Sequence, residues 1–148
     1  YAVIERDEQM YEGVMLDDAE HVVVAFGAAA RIARSAVVAA RKEGVKAGLF
    51  RPITLWPFPK DGLGEVVKHA KTLLSVEFSM GQLVDDVRLY SGGQIPVEFY
   101  GRAGGMLPTP EEVLGALREQ AAGKPVTPGI GIAQSSAGQL VIDPKESV

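Results

Sequence analysis

The sequence predicts an α/β protein with a parallel sheet, and two observations carry that prediction. The stretch Glu20-His21-Val22-Val23-Val24-Ala25-Phe26 ends in an unbroken apolar run, as a strand covered on both faces requires, then stops at Gly27 and turns into Ala28-Ala29-Ala30-Arg31. A strand followed by a helix then recurs along the chain, the pattern of successive βαβ units.

With 148 residues, 47% of them hydrophobic, the chain can fill one core. Its longest apolar run, Val22 to Ala30, falls well short of the roughly 20 residues needed to span a bilayer, and no signal-peptide pattern opens the chain. A soluble, cytoplasmic protein is expected. Cysteine is absent, which excludes disulfides, thiolate nucleophiles and cysteine-ligated iron–sulfur clusters from this chain, so any redox centre must lie on a partner. A net charge of −4 with scattered basic residues argues against a nucleic-acid surface. The first residue is Tyr1. A piece of a longer polypeptide is expected.

Residues 1–20 read as a partly helical or extended lead-in from an upstream domain, because Met10, Tyr11, Val14 and Leu16 are loosely helical in spacing while Gly13 weakens that period. The α/β domain is expected over residues 21–122. After Gly27 a helix runs to about Glu43, with Ala29, Ile32, Ala33, Ala36, Val37 and Ala40 on one face, and Gly44 ends it. Val45 to Phe50 supplies the second strand. Arg51-Pro52-Ile53-Thr54-Leu55-Trp56-Pro57-Phe58-Pro59 is a loop by its prolines, yet it is too apolar to be left uncovered. Asp61 can cap a helix from about Gly62 to Ala70, and Thr72 to Phe78 gives the third strand. Ser79-Met80-Gly81-Gln82 has the form of a capping box opening a helix through about Tyr90, and Ile95 to Tyr100 is the fourth strand. Thr109-Pro110-Glu111-Glu112 combines a threonine cap, a proline at the first helical position and a glutamate three residues after the cap, the strongest helix start in the chain. From Gly123 the composition turns to Gly, Pro and Ser, so residues 123–148 read as a tail with at most a short strand at Gln139 to Ile142.

In an open α/β sheet the ligand crevice lies at the carboxyl ends of the strands where their order reverses. With the second and third strands on opposite sides of the first, that point falls between Gly27-Ala28 and Glu77-Phe78-Ser79. Crevice candidates are therefore Gly27, Ala28, Ser79, Gly81 and Arg102. Gly27 lacks the further glycines of a dinucleotide fingerprint, and the plain reading is a close strand-to-helix turn. A lone carboxylate such as Glu77 at a strand end is more often an anchor for a neighbouring loop or subunit than a catalytic acid. Arg51 and Arg102 can pair with an anion or a partner carboxylate, or simply be solvated. His21 and His69 lie in no triad or metal-ligand pattern, so no catalytic or metal residue is assigned. Trp56, Phe58, Met80 and Met106 sit on loops, where large apolar side chains either seal a protein–protein surface or fold back onto their own sheet.

The chain resembles the transketolase C-terminal-like domain of thiamine diphosphate enzymes. It is most similar to the last part of the alpha subunit of 2-oxoacid:ferredoxin oxidoreductases of the 2-oxoisovalerate and 2-oxoglutarate types. The resemblance runs over about residues 5–120 and rests on four blocks: Val22 to Arg31, Gly48 to Pro59, Val76 to Leu83, and Gly101 to Gly105 before Pro108 to Glu112. Gly48-Leu49-Phe50-Arg51-Pro52-Ile53-Thr54-Leu55-Trp56-Pro57-Phe58-Pro59 is the most specific. It implies a three-layer α/β/α domain with a mostly parallel sheet and an antiparallel edge strand supplied by part of the first 16 residues. It also implies a parent reaction, oxidative decarboxylation of a 2-oxoacid to an acyl-coenzyme A with electrons passed to ferredoxin. Thiamine diphosphate, Mg, iron–sulfur clusters and coenzyme A would then be held by other domains and subunits. This domain would be catalytically silent, docking through Arg51, Trp56, Phe58, Glu77 and Gln82, and a homo-oligomer is expected if the Trp-Pro-Phe-Pro surface is left uncovered. The alternatives are a module holding an anionic group of coenzyme A type at a helix amino end, or the matching domain of a transketolase or NAD-linked 2-oxoacid dehydrogenase.

Overall fold

A computed structural model of the protein describes residues 9–78, 81–102, 106–129, 132–134 and 140–142. In chain order the elements are β1 (Tyr11–Val14), β2 (His21–Val24), α1 (Gly27–Lys42), β3 (Ala47–Pro52), α2 (Lys60–Val67), β4 (Thr72–Glu77), α3 (Gln82–Ser91), β5 (Val97–Gly101), α4 (Pro110–Ala121), β6 (Ile132–Gln134) and β7 (Leu140–Ile142). The main sheet has the order β1-β3-β2-β4-β5. β2 pairs in parallel with both β3 and β4, β4 pairs in parallel with β5, and β1 alone runs antiparallel, on β3. The connection through α1 goes to one side of β2 and the connection through α2 crosses to the other, so the predicted reversal point is present beside β2.

Each face of the sheet is covered by two helices. Val23, Leu74 and Val76 turn to α1 and α4, meeting Ala33, Val37 and Leu117. The alternate residues Val22, Val24 and Leu73 turn to α2 and α3, meeting Leu63, Val66 and Val87. Period-two alternation along β2 thus serves two cores at once, and burying each such side chain contributes about 1.5–3 kcal/mol. The fully buried alanines of α1, Ala33, Ala36 and Ala40, let that helix lie close to the strands.

Several local expectations shift. Of the helical and extended readings of the lead-in the extended one holds, since Tyr11 to Val14 pairs with Pro52 to Leu49 as the antiparallel edge strand that the resemblance implies. Arg41 fastens the turn that follows. Arg41 donates to the Met15 and Ala47 carbonyls at 2.8 and 2.7 Å and to both oxygens of Asp18 at 3.0 and 2.7 Å. That clamp supports Met15 in the left-handed region at φ 55°. α2 starts at Lys60, with Pro59 as its N-cap, so Asp61 lies inside the first turn and does not cap it. The α4 start is as read: the Thr109 hydroxyl accepts from the Glu112 amide at 3.2 Å. Beyond α4, β6 joins β7 in a separate two-stranded antiparallel pair, one strand more than the composition suggests. Among the described residues no helix is long and apolar enough to cross a membrane.

Candidate functional site

Because β2, β3, β4 and β5 are parallel, their carboxyl ends share one edge of the sheet, and most of the singled-out residues fall there. Gly27 and Ala28 are exposed at the start of α1, whose first turn carries no acidic residue and whose N-cap, Phe26, makes no side-chain hydrogen bond. Gly81 is buried and left-handed at φ 99°, the N-cap of α3, and Gln82 is exposed as that helix's first residue. Ser79 and Met80, which carry the predicted capping box, lie outside the described residues.

The cap of α3 is supplied by Glu77. This side chain is only 2% exposed and turns inward from the end of β4. Its Oε1 accepts from the Leu83 amide at 2.7 Å, and its Oε2 accepts from the Val84 amide at 3.1 Å and from the Ser75 hydroxyl at 3.4 Å. A carboxylate at a helix amino end is favoured by both the free amides and the helix dipole. Glu77 therefore anchors its own domain, and as a docking carboxylate it is turned away from the surface.

The two arginines are each met by a carboxylate. Arg51 sits opposite Glu12 in the β1–β3 register, with Nη1 at 3.3 Å from Glu12 Oε2, and Arg34 approaches the same carboxylate at 3.8 Å. Arg102 lies 3.4 Å from Glu112 Oε1, while the Tyr100 hydroxyl donates to Glu112 Oε2 at 3.2 Å. Burial, then the neighbouring Glu112 charge, pushes the Tyr100 phenol up to about 12. Sequence reasoning missed Glu12 and Glu112. Glu112 carried a signal, since it occupies the third position of α4 directly beyond the Gly101-Arg102 segment. Glu12 carried none without the strand register.

The loop aromatics separate into two roles. Phe58 is 4% exposed, stacks on Tyr90 at 4.9 Å, and fills the α2–α3 core. As a surface contact residue it is corrected by that burial. Trp56 is 71% exposed, and Ile53, Leu55, Phe78, Met106 and Leu107 are exposed on loops at the same edge. Six large apolar side chains are thus exposed at one end of the sheet.

The histidines do structural work at the other end. His21 Nδ1 and Thr72 Oγ1 share a hydrogen bond of 2.8 Å, and His69 Nε2 lies 2.9 Å from the Leu16 carbonyl oxygen. A groove of about 540 Å³, lined by Tyr11, Met15, Leu16, Val66 and His69 among others, runs between β1 and α2, away from the switch point. Among the described residues no group of three His, Asp or Glu side chains could hold a metal ion. Among the described residues, Glu12, Glu77 and Glu112 are each engaged within the domain.

Residues 19–113 match the family described as pyruvate:ferredoxin oxidoreductase core domain II. The ketoisovalerate oxidoreductase subunit VorB of Methanothermobacter thermautotrophicus is 48% identical over 121 residues, covering 82% of this chain and 34% of that protein. The 2-oxoglutarate synthase subunit KorA of Methanothermobacter marburgensis is 38% identical over 98 residues, covering 66% of this chain and 26% of that protein. This chain thus spans about a third or less of the length of these curated relatives. In fold it is similar to the 2-oxoglutarate:ferredoxin oxidoreductase of Magnetococcus marinus solved with 2-oxoglutarate, coenzyme A and succinyl-CoA bound, with a TM-score of 0.70 at 22% identity over 80% of this chain and 21% of that one. It is likewise similar to a split-gene transketolase, an inactive β4 tetramer, with a TM-score of 0.63 at 21% identity over 73% of this chain and 40% of that one.

Proposed function

The chain belongs to the pyruvate:ferredoxin oxidoreductase core domain II family, and from that premise we propose that it is the non-catalytic assembly domain of an alpha-type subunit in a 2-oxoacid:ferredoxin oxidoreductase. The parent reaction is oxidative decarboxylation of a 2-oxoacid to its acyl-coenzyme A, with ferredoxin reduced. Identity to VorB favours 2-oxoisovalerate as the 2-oxoacid. Thiamine diphosphate supplies the carbanion chemistry in such an enzyme. Among the described residues no group of three His, Asp or Glu side chains could hold a metal ion, and without cysteine the chain cannot ligate an iron–sulfur cluster through thiolates. What supports a docking role is the carboxyl edge, where Trp56 and its apolar neighbours face outward while Glu77 is spent on α3.

The rival reading, an anionic group held at a helix amino end near Gly27, Glu77 and Gly81, is disfavoured at α3, whose first turn already holds the Glu77 carboxylate, and is left the amino end of α1, where Gly27 and Ala28 are exposed and Phe26 makes no side-chain cap. Reconstitution separates the two readings. The chain mixed with the remaining polypeptides of a ketoisovalerate oxidoreductase should co-purify with them and support coenzyme A-dependent reduction of ferredoxin by 2-oxoisovalerate. The chain alone should show neither turnover nor calorimetric heat with thiamine diphosphate and Mg²⁺. Micromolar binding of thiamine diphosphate by the chain alone would sink the proposal.

A further inference from the structure

The segment that joins β5 to α4 is tied at both ends to one residue, Glu112, in the first turn of α4. From the β5 end, the Tyr100 hydroxyl donates to its Oε2 at 3.2 Å, and Arg102 Nη2 lies 3.4 Å from its Oε1. From the α4 end, its amide donates to the Thr109 hydroxyl at 3.2 Å. Between those feet Pro108 is buried, while Met106 and Leu107 are exposed.

The tie is sheltered. Only 22% of the Arg102 side chain and 19% of the Glu112 side chain are exposed, so dissolved salt screens the pair weakly. Burial pushes the Tyr100 phenol up to about 12, and it stays a donor at neutral pH. The helix itself does not need this carboxylate for its dipole, because Glu111, exposed in the same first turn, already supplies an acid there. A loop ordered before contact loses less entropy on association than a free one, so what holds Met106 and Leu107 in place bears on how firmly they dock. We propose that Glu112 is a positioning residue for docking: by tying both feet of the segment 102–109 it holds Met106 and Leu107 within the apolar carboxyl edge. This rests on the docking role of that edge, which by itself makes no demand on Glu112.

Glu112→Gln in the full chain tests it, because a carboxylate accepts on both oxygens and an amide on one only, so the tether from Tyr100 or from Arg102 must go. In the chain alone, the backbone NMR order parameters of Met106 and Leu107 should fall from the rigid range, about 0.85, to below about 0.6, while those inside α4 stay unchanged. Affinity for the remaining oxidoreductase polypeptides, read by calorimetry, should fall about fivefold or more, whereas Glu111→Gln, which removes the same charge from the same helical turn, should change it by less than about twofold. In a background carrying Met106→Ser with Leu107→Ser, the effect of Glu112→Gln should shrink below about twofold, since the side chains it positions are gone. Order parameters that stay in the rigid range, or an undiminished effect in that background, would overturn the positioning role. Affinity indifferent to Trp56→Ser and to Met106→Ser with Leu107→Ser would instead overturn the docking role of the edge, and the positioning role with it.

Discussion

Glu77 does what a lone carboxylate at a strand end does more often than catalysis, anchoring its own chain. At the end of β4, facing a switch point, it has the address of a catalytic acid, yet both its oxygens accept hydrogen bonds from its own chain. Replacing it with alanine strips the α3 cap and leaves buried amides, and should cost about 3 kcal/mol in urea unfolding. Glu77→Gln, which keeps an acceptor, should recover part of that loss. His21 gives a pH signature. Burial holds its imidazole below the ordinary value, with the Glu20 charge raising it and Lys71 lowering it. The unfolded chain therefore takes the proton first. His21's contribution is undiminished above about pH 6.5 and stability declines as pH falls through that value. Urea midpoints at about pH 7.5 and about pH 5.5 should differ in that sense, and His21→Asn should narrow the difference.

At the scale of elements, β2 to β5 were legible by their apolar-rich runs, α1 by its one-sided alanine face and α4 by its Thr109 cap, whereas the starts of α2 and α3 were read less well, since Asp61 does not cap α2 and the α3 amides are met by Glu77. β1 was not legible from its own residues. Met10, Tyr11, Val14 and Leu16 fit a helical period by chance, and what makes Tyr11 to Val14 a strand is β3, some 38 residues downstream. The seating of residues 124–129 was illegible for the opposite reason: a Gly-Pro composition describes a free tail equally well until Glu98 and Glu119 are seen to hold it. β1 also depends on Arg41, which fastens the turn joining it to β2. Arg41→Ala should leave the four parallel strands in place and speed hydrogen exchange at the β1 amides of Gly13 and Val14 by tenfold or more.

For the whole molecule, the division between Trp56 and Phe58 decides what holds the domain together and what it offers outward. Sequence placed both in one apolar loop and could not divide them, since exposure depends on where α2 and α3 leave room. Phe58→Ala empties a core position stacked on Tyr90 and should cost about 3–5 kcal/mol in thermal or urea unfolding. Trp56→Ser should change stability by less than about 0.5 kcal/mol while weakening association with the other oxidoreductase polypeptides at least tenfold, as read by calorimetry or by co-purification at limiting concentration.

The antiparallel direction of β1 has one more effect. Tyr11 lies opposite Pro52, and the Met10 carbonyl accepts from the Ile53 and Thr54 amides, so the described polypeptide comes in beside the exposed tryptophan. Residues 124–129 end beside Gly101, the last residue of β5, on that same side. The segments around Met10 and Pro128 therefore share a single wall of the domain. Anything tethered to either through a short linker is confined close to that wall, at local concentrations in the millimolar range, so even feeble contacts there would stay closed.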